Sequence, residues 1–226
     1  MPGPTHRKAL AVLDGIKFPR NQTRQNVRDE KTREVLGMAV GVVAIRMSSE
    51  CRASRYTLDN PEPVRALVAY ARRYIPEFRF STIQINKNNR TALHVDRNNM
   101  GPSAIIGLGD YAGGEVWISG RGAVNCKNRF VFFDGNEPHA TLPFTGTRYT
   151  LVFFTTQRYA HLAREHVPII RGLGFPLPPM GKRAPTKQKY PPVAPRLERA
   201  QVELKEVLAA RRGAKRRAPR RAARAA

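Results

Sequence analysis

His94 and Asp96 stand two apart in His94-Val95-Asp96, and on an extended segment residues two apart face the same side. An imidazole and a carboxylate then converge on one point. A second imidazole, His139, follows an apolar run and the turn Asp134-Gly135-Asn136. Each piece alone has a plainer reading. His94 and Asp96 can be solvated polar side chains, and His139 a loop or core histidine satisfied by one hydrogen bond. Together, two neutral imidazoles and one carboxylate on one face of a metal leave three positions open, the donor set of non-haem Fe(II) oxygenases. Farther along, Arg148 and Thr150 share one face of a strand-like run whose other face carries Tyr149, Leu151 and Phe153. A guanidinium fork with a hydroxyl suits the distal carboxylate of a 2-oxo acid bound to such a metal. An edge-strand arginine reaching into water has the same local sequence.

The elements that must position these groups are readable in part. Proline near the start, with Val64, Leu67, Val68, Ala71 and Ile75 at helical spacing, predicts a helix over 61–75. After Pro76 come short β-prone runs at 80–85, 103–108, 115–118, 129–133 and 149–154. Turn signals separate them, among them Asn98-Asn99-Met100-Gly101, Asp110-Tyr111-Ala112-Gly113-Gly114, Gly120-Arg121-Gly122 and Thr145-Gly146-Thr147. Many short strands with frequent turns predict an antiparallel sandwich or barrel. The chain divides into an N-terminal extension (1–30), a catalytic domain (31–175), and a Pro-rich linker with a basic tail (176–226).

His94, Asp96, His139, Arg148 and Thr150 match, in order and separation, the pattern of the Fe(II)/2-oxoglutarate-dependent dioxygenase superfamily, which the chain resembles from about residue 80 to 156. The resemblance implies a mainly β fold with flanking helices, a double-stranded β-helix or jelly roll. It implies Fe(II) held by His94, Asp96 and His139. It also implies 2-oxoglutarate as co-substrate, bound by Arg148, Thr150 and either Asn86 or Asn88, with O2 as oxidant. Asn86 to Asp96, Gly113-Gly114 before a strand, and the Phe133-Asp134-Gly135 turn resemble the nucleic-acid branch. That branch holds the ten-eleven translocation and base-J-type oxygenases and their protist relatives, although the cysteine-rich elements of the animal enzymes are absent here. The implied reaction is oxidation of a nucleic-acid base, 5-methylcytosine in DNA being one such base. Gly113-Gly114-Glu115-Val116 also occurs in prolyl hydroxylases, so a protein hydroxylase of the same chemistry stays open, as does a non-catalytic nucleic-acid binder.

Charge bears on the partner. The 226 residues carry 40 Lys/Arg against 17 Asp/Glu, formal net charge +23, which favours a polyanion. Residues 181–226 hold 15 Lys/Arg and 3 Glu, net +12, leaving net +11 for residues 1–180. Leu197, Val202, Leu204 and Leu208 outline a short helix in the tail, and the Arg/Ala/Lys stretch from Arg211 onward is expected to be disordered. Lys215, Arg216 and Arg217 read as a nuclear-localisation cluster or as DNA contacts. The two cysteines, Cys51 and Cys126, exclude a disulfide framework and fit free thiols in a reducing intracellular compartment. The apolar stretch 9–13 is too short for a signal-peptide core, and the run 38–45 too short for a membrane span. Trp117 is expected in the core, Gly107 to Gly114 as a strand-connecting turn, and His161 and His166 at the surface. Arg97, Asn98 and Asn99 either line the mouth of the site and touch substrate or form a solvated turn. Oligomeric state is not readable from these features.

Overall fold

The computed structural model describes residues 3–19, 36–180 and 188–217. Helix α1 (Pro4–Asp14) precedes strand β1 (Leu36–Ala44), which returns as β2 (Cys51–Ala53). A short α2 (Arg55–Asp59) leads into α3 (Pro61–Tyr74). Strands β3 (Thr82–Lys87), β4 (Asn99–Leu108), β5 (Tyr111–Gly113), β6 (Val116–Ile118) and β7 (Gly122–Val124) follow. Then come β8 (Val131–Phe133), β9 (His139–Thr141), β10 (Phe144–Gly146) and β11 (Tyr149–Thr156). A 3-10 turn (Tyr159–His161), α4 (His166–Gly172) and α5 (Val193–Arg217) follow β11.

Each of the five predicted strands is present, with ends shifted by a few residues, and α3 ends one residue earlier than predicted. Ile75 leaves the helical region, with φ −134° and ψ 59°, because the ring of the following Pro76 crowds a helical backbone there. Glu62 in the first turn of α3 and Arg72 and Arg73 in the last complement the helix dipole. β1 occupies the apolar run weighed above only as a membrane span. No helix among the described residues is long and apolar enough to cross a membrane.

The strands build a jelly roll, and every pairing between them is antiparallel. The large sheet runs β2-β1-β3-β11-β4-β8 and the smaller one β7-β6-β9, with β10-β5 as a two-stranded pair. Alternation along β3 and β11 divides the large sheet's two faces. Ile83, Ile85, Tyr149, Leu151 and Phe153 join the core with α1, α3 and α4, whereas Gln84, Asn86, Thr150 and Val152 line a cavity between the sheets. Ile105, Val131 and Phe133 of the large sheet meet Val116 and Ile118 of the small one and close the sandwich beside that cavity. Helix α1 buries Ala9 and Leu13 against the α3 side of the core. It is tied to β11 by Tyr149 Oη donating to Asp14 Oδ1 at 2.8 Å.

The C-terminal segment departs most from expectation. α5 is a single helix of 25 residues that continues through Arg217, so residues 211–217 are helical where disorder was expected. Residues 218–226 lie outside the described ones. Ala200 and Leu204 pack with Trp117, Ala140 and Leu142 on the small sheet, supported by Val207 and Leu208. Val202, placed on the apolar stripe from sequence, faces solvent instead, because a step of two residues is 200° around a helix. Arg211 Nη1 meets Glu115 Oε2 at 3.0 Å, and the Glu203 carboxylate accepts from Ser119 Oγ at 3.0 Å. The small sheet thus supplies the apolar surface and counter-charges that the basic segment lacks by itself. Burial raises the Glu115 pKa, but Arg211, a backbone N–H and the Arg148 charge outweigh it and hold the carboxyl below its ordinary value. A lowered folded-state pKa means stability present above the ordinary carboxylate range and lost as pH falls through the folded value. Thermal melts should therefore show wild type losing more stability than Glu115→Gln on going from neutral pH to below pH ~4; equal losses would remove this ion pair from the account.

Candidate metal centre and its pocket

His94 precedes β4 and His139 opens β9, and the two meet backbone to backbone. His94 N–H donates to His139 O at 3.1 Å and His139 N–H to His94 O at 3.0 Å. This one bridge brings the rings to 4.3 Å between centroids. Nδ1 of His94 lies 2.7 Å from Ala92 O, and Nδ1 of His139 lies 2.8 Å from Glu137 O. A carbonyl only accepts, so Nδ1 carries the hydrogen in both rings and each Nε2 presents the lone pair a metal would take. The Asp96 carboxylate oxygens lie 3.6 Å from His94 Nε2 and 3.8 Å from His139 Nε2. The three donor atoms all fall within 4.8 Å of one another, a set that can hold an iron ion.

Asp96 is held from behind. Its N–H donates to Gly135 O at 2.7 Å, and its Oδ2 accepts from Asn99 Nδ2 at 3.3 Å. Asn99 is braced in turn by Ser103 Oγ at 3.2 Å. Gly135 leaves the room for this, since a Cβ there would come to 2.9 Å from Asn99 Nδ2. Asn99 is buried behind the carboxylate, where it orients Asp96, and it also lines the cavity. Arg97 and Asn98 do line the cavity, and Asn98 Oδ1 accepts from Gln157 Nε2 at 3.2 Å.

Arg148 is buried, 2% exposed, immediately before β11. Its Nη2 donates to Gly114 O at 2.9 Å, and its guanidinium lies over the Tyr111 and Phe144 rings at 5.5 and 5.4 Å. Its Nε has no hydrogen-bond partner. A buried cation with an unused donor is costly unless an anion completes it. Thr150 pairs across the sheet with Asn86, whose Nδ2 donates to Thr150 Oγ1 at 3.2 Å, while Gln84 Nε2 donates to Asn86 Oδ1 at 3.0 Å. This chain of donors leaves the Thr150 hydroxyl hydrogen available. Asn88 plays another part, because its Oδ1 accepts from the Arg148 backbone N–H at 2.8 Å and sets where that strand begins. Burial pushes the Tyr111 phenol upward against the smaller pull of Arg148, so Tyr111 is neutral at physiological pH and supplies no counter-charge to Arg148.

One cavity of about 850 Å³ is lined by His94, Asp96, His139, Arg148, Thr150 and Asn86 together. Sequence reading missed four contributors. Both amide atoms of Asn89, in the cavity wall, are buried without a partner; its only signal was the run of asparagines at 86–89. Gly114 supplies the carbonyl that holds Arg148, and Val193 and Leu197 of α5 line the cavity, which their composition did not suggest. Trp117 is buried in the core as expected, and both cysteines are buried free thiols.

Gly114 has φ +72°, and a Cβ there would come to 2.8 Å from Arg148 Nε. Gly114→Ala is therefore expected to cost about 1–3 kcal/mol through the strained backbone and to displace the guanidinium. Chemical denaturation measures the cost, and a loss under about 0.5 kcal/mol would mean that the turn adjusts freely.

No known family model matches this chain, and no curated protein matches it in sequence. Among solved structures, it is similar to NgTET1 in complex with 5mC DNA, at 12% identity and TM-score 0.47, covering 70% of each chain. It is similar to a 2OG-Fe(II) oxygenase family oxidoreductase from Burkholderia pseudomallei, at 16% identity and TM-score 0.46, covering 70% of this chain and 81% of that one. A Pseudomonas putida prolyl-4-hydroxylase is similar at 16% identity and TM-score 0.41, covering 69% of this chain and 88% of that one. Likenesses of this size leave the geometry of the site to carry the functional reading.

Proposed function

We propose that the chain is an Fe(II)/2-oxoglutarate-dependent dioxygenase that oxidises a base in nucleic acid, with 5-methylcytosine in DNA as the first candidate. The observation that carries the enzymatic reading is one cavity holding both the His94-Asp96-His139 donor set and the buried Arg148 with its unused Nε. His94 Nε2, His139 Nε2 and an Asp96 oxygen would hold the iron. Arg148 would grip the distal carboxylate of 2-oxoglutarate, with Thr150 donating its hydroxyl hydrogen and Asn86 fixing that hydroxyl. When bound, iron, 2-oxoglutarate and O2 supply oxidative decarboxylation to succinate and CO2, coupled to oxygen insertion into a C–H bond. The chain's part is to hold the three donors in fixed tautomer and orientation, to neutralise the co-substrate, and to aim the substrate from the Arg97 and Asn98 side.

The nucleic-acid part rests on charge and space. The net charge of +23 favours a phosphate backbone, and the cavity of about 850 Å³ is larger than a five-carbon diacid requires, leaving room for an extruded base. Incubation with methylated DNA, RNA and peptide pools, followed by nucleoside and peptide mass spectrometry, tests the substrate class. Oxidised nucleosides are the expected product; oxidised proline or lysine alone would reassign the enzyme to protein. Deleting residues 181–226 is not a clean test of the basic segment, because it strips Ala200 and Leu204 from the core. Neutralising the exposed Arg199, Lys205 and Arg212 of α5 to glutamine leaves that packing intact. It should lower the salt dependence of duplex binding by up to about 3 in log–log slope, measured by fluorescence anisotropy.

A further inference from the structure

The turn at 134–137 is the junction of the metal site. Gly135 O receives the Asp96 N–H at 2.7 Å, Asn136 Nδ2 donates to Asn99 O at 3.2 Å, and Glu137 O receives His139 Nδ1–H at 2.8 Å. One short turn therefore touches the supports of two of the three donors. It is gripped from outside by the C-terminal segment. Arg196, 8% exposed, donates through Nη1 to Asn136 O at 2.9 Å and lies 3.3 Å from Glu137 Oε2. Tyr190 Oη donates to Asp134 Oδ2 at 2.6 Å, and the Arg196 guanidinium lies 5.5 Å from the Tyr190 ring centre. Val193, about one helical turn before Arg196, and Leu197, the residue after it, line the cavity that contains the donors.

We infer that the C-terminal helix is a working part of the metal site, with Arg196 and Tyr190 as positioning residues that lock the 134–137 turn and thereby orient His139 and Asp96. The inference rests on the metal reading proposed above. A backbone carbonyl can fix an imidazole only as rigidly as its own peptide is held, and the hydrogen-bond partners of metal ligands typically contribute 10–100-fold in affinity. Arg196 holds Glu137 through the carbonyl of the residue before it and through its side-chain carboxylate, a grip available only while α5 is docked. The basic C-terminal segment then couples to the chemistry as well as adding charge.

Full-length wild type, Arg196→Ala, Arg196→Lys, Tyr190→Phe and Glu203→Ala are titrated anaerobically with Co(II) alone, following its visible absorption. Wild type is expected to bind, with Arg196→Ala weaker by about 10–100-fold and its band shape altered. Arg196→Lys should restore most of that loss. Glu203→Ala removes a helix anchor on the Ser119 hydroxyl, touches none of residues 134–137 and leaves the Ser119 N–H bond to Pro138 O in place, so it should stay within about twofold of wild type, since isolated exposed contacts contribute little. Equal affinity in wild type and Arg196→Ala, or equal losses in Arg196→Ala and Glu203→Ala, would overturn the inference. If Arg196→Ala does not fold by circular dichroism, Tyr190→Phe decides: a severalfold loss supports the clamp and an unchanged affinity overturns it. Absence of Co(II) binding by wild type would overturn the metal reading and this inference with it.

Discussion

Asp96→Ala is expected to abolish iron-dependent turnover, by more than about 10³-fold, since loss of a ligand should exceed the 10–100-fold typical of its hydrogen-bond partners. Asp96 is the one anionic donor of the set, and without it two neutral imidazoles face the cavity with no charge to retain a dication. The fold should survive, because the Asp96 N–H bond to Gly135 O at 2.7 Å belongs to the backbone, so circular dichroism should match wild type. The measurement is release of CO2 from 1-labelled 2-oxoglutarate, together with the visible charge-transfer band that forms anaerobically with Fe(II) and 2-oxoglutarate. His94→Ala and His139→Ala should lose the same band. Full activity in Asp96→Ala would remove the ligand assignment.

Arg148→Ala is expected to act on a different step. Removing one partner of a buried charged pair costs roughly 2–5 kcal/mol, so the KM for 2-oxoglutarate should rise at least about 30-fold, and by 10²–10³-fold over the middle of that range. Binding of Fe(II) or Co(II) alone should stay close to wild type, because Arg148 touches none of the three donors. The variant also orphans Gly114 O, so unfolding free energy should drop by about 1–3 kcal/mol, and the kinetic comparison belongs at a temperature where both proteins are folded. Arg148→Lys keeps the charge and loses the fork, and should fall between the two. An unchanged KM would move the co-substrate carboxylate elsewhere in the cavity, with the unpartnered Asn89 amide as the next residue to replace. The two variants separate metal from co-substrate: one loses both ligands, the other only the diacid.

The donor set was legible in part because residues two apart in extended backbone share a face. His94 and Asp96 share a face, as do Arg148 and Thr150, and the pairing of Thr150 with Asn86 follows from β3 and β11 lying side by side. The helix α3 was legible from its period, and β3, β4, β6, β8 and β11 from apolar, β-prone runs between turn signals. The nine-residue β1 and the short β2, β5, β7, β9 and β10 were not, because β1 is an unbroken apolar run without alternation and the short strands contain no such run. Their place depends on the sheets they join. The part Asn99 plays behind the carboxylate was not legible, because its sequence offers only a polar residue after a turn, whereas Ser103 and the Asp96 carboxylate turn its side chain inward.

Local sequence therefore determined the chemistry on offer: two imidazoles, a carboxylate, an arginine and a threonine, with His94 and Asp96, and Arg148 and Thr150, each two apart in extended chain. Tertiary structure decided that His94 and His139, 45 residues apart in number, share one backbone bridge, and that α5 is docked where its composition reads as disordered. Net charge argues for a free basic segment, because such a sequence has too little apolar surface to order itself. A narrow stripe of Ala200 and Leu204 becomes sufficient once Trp117 and the Glu115 carboxylate stand opposite it, and no local pattern in the segment records that partner.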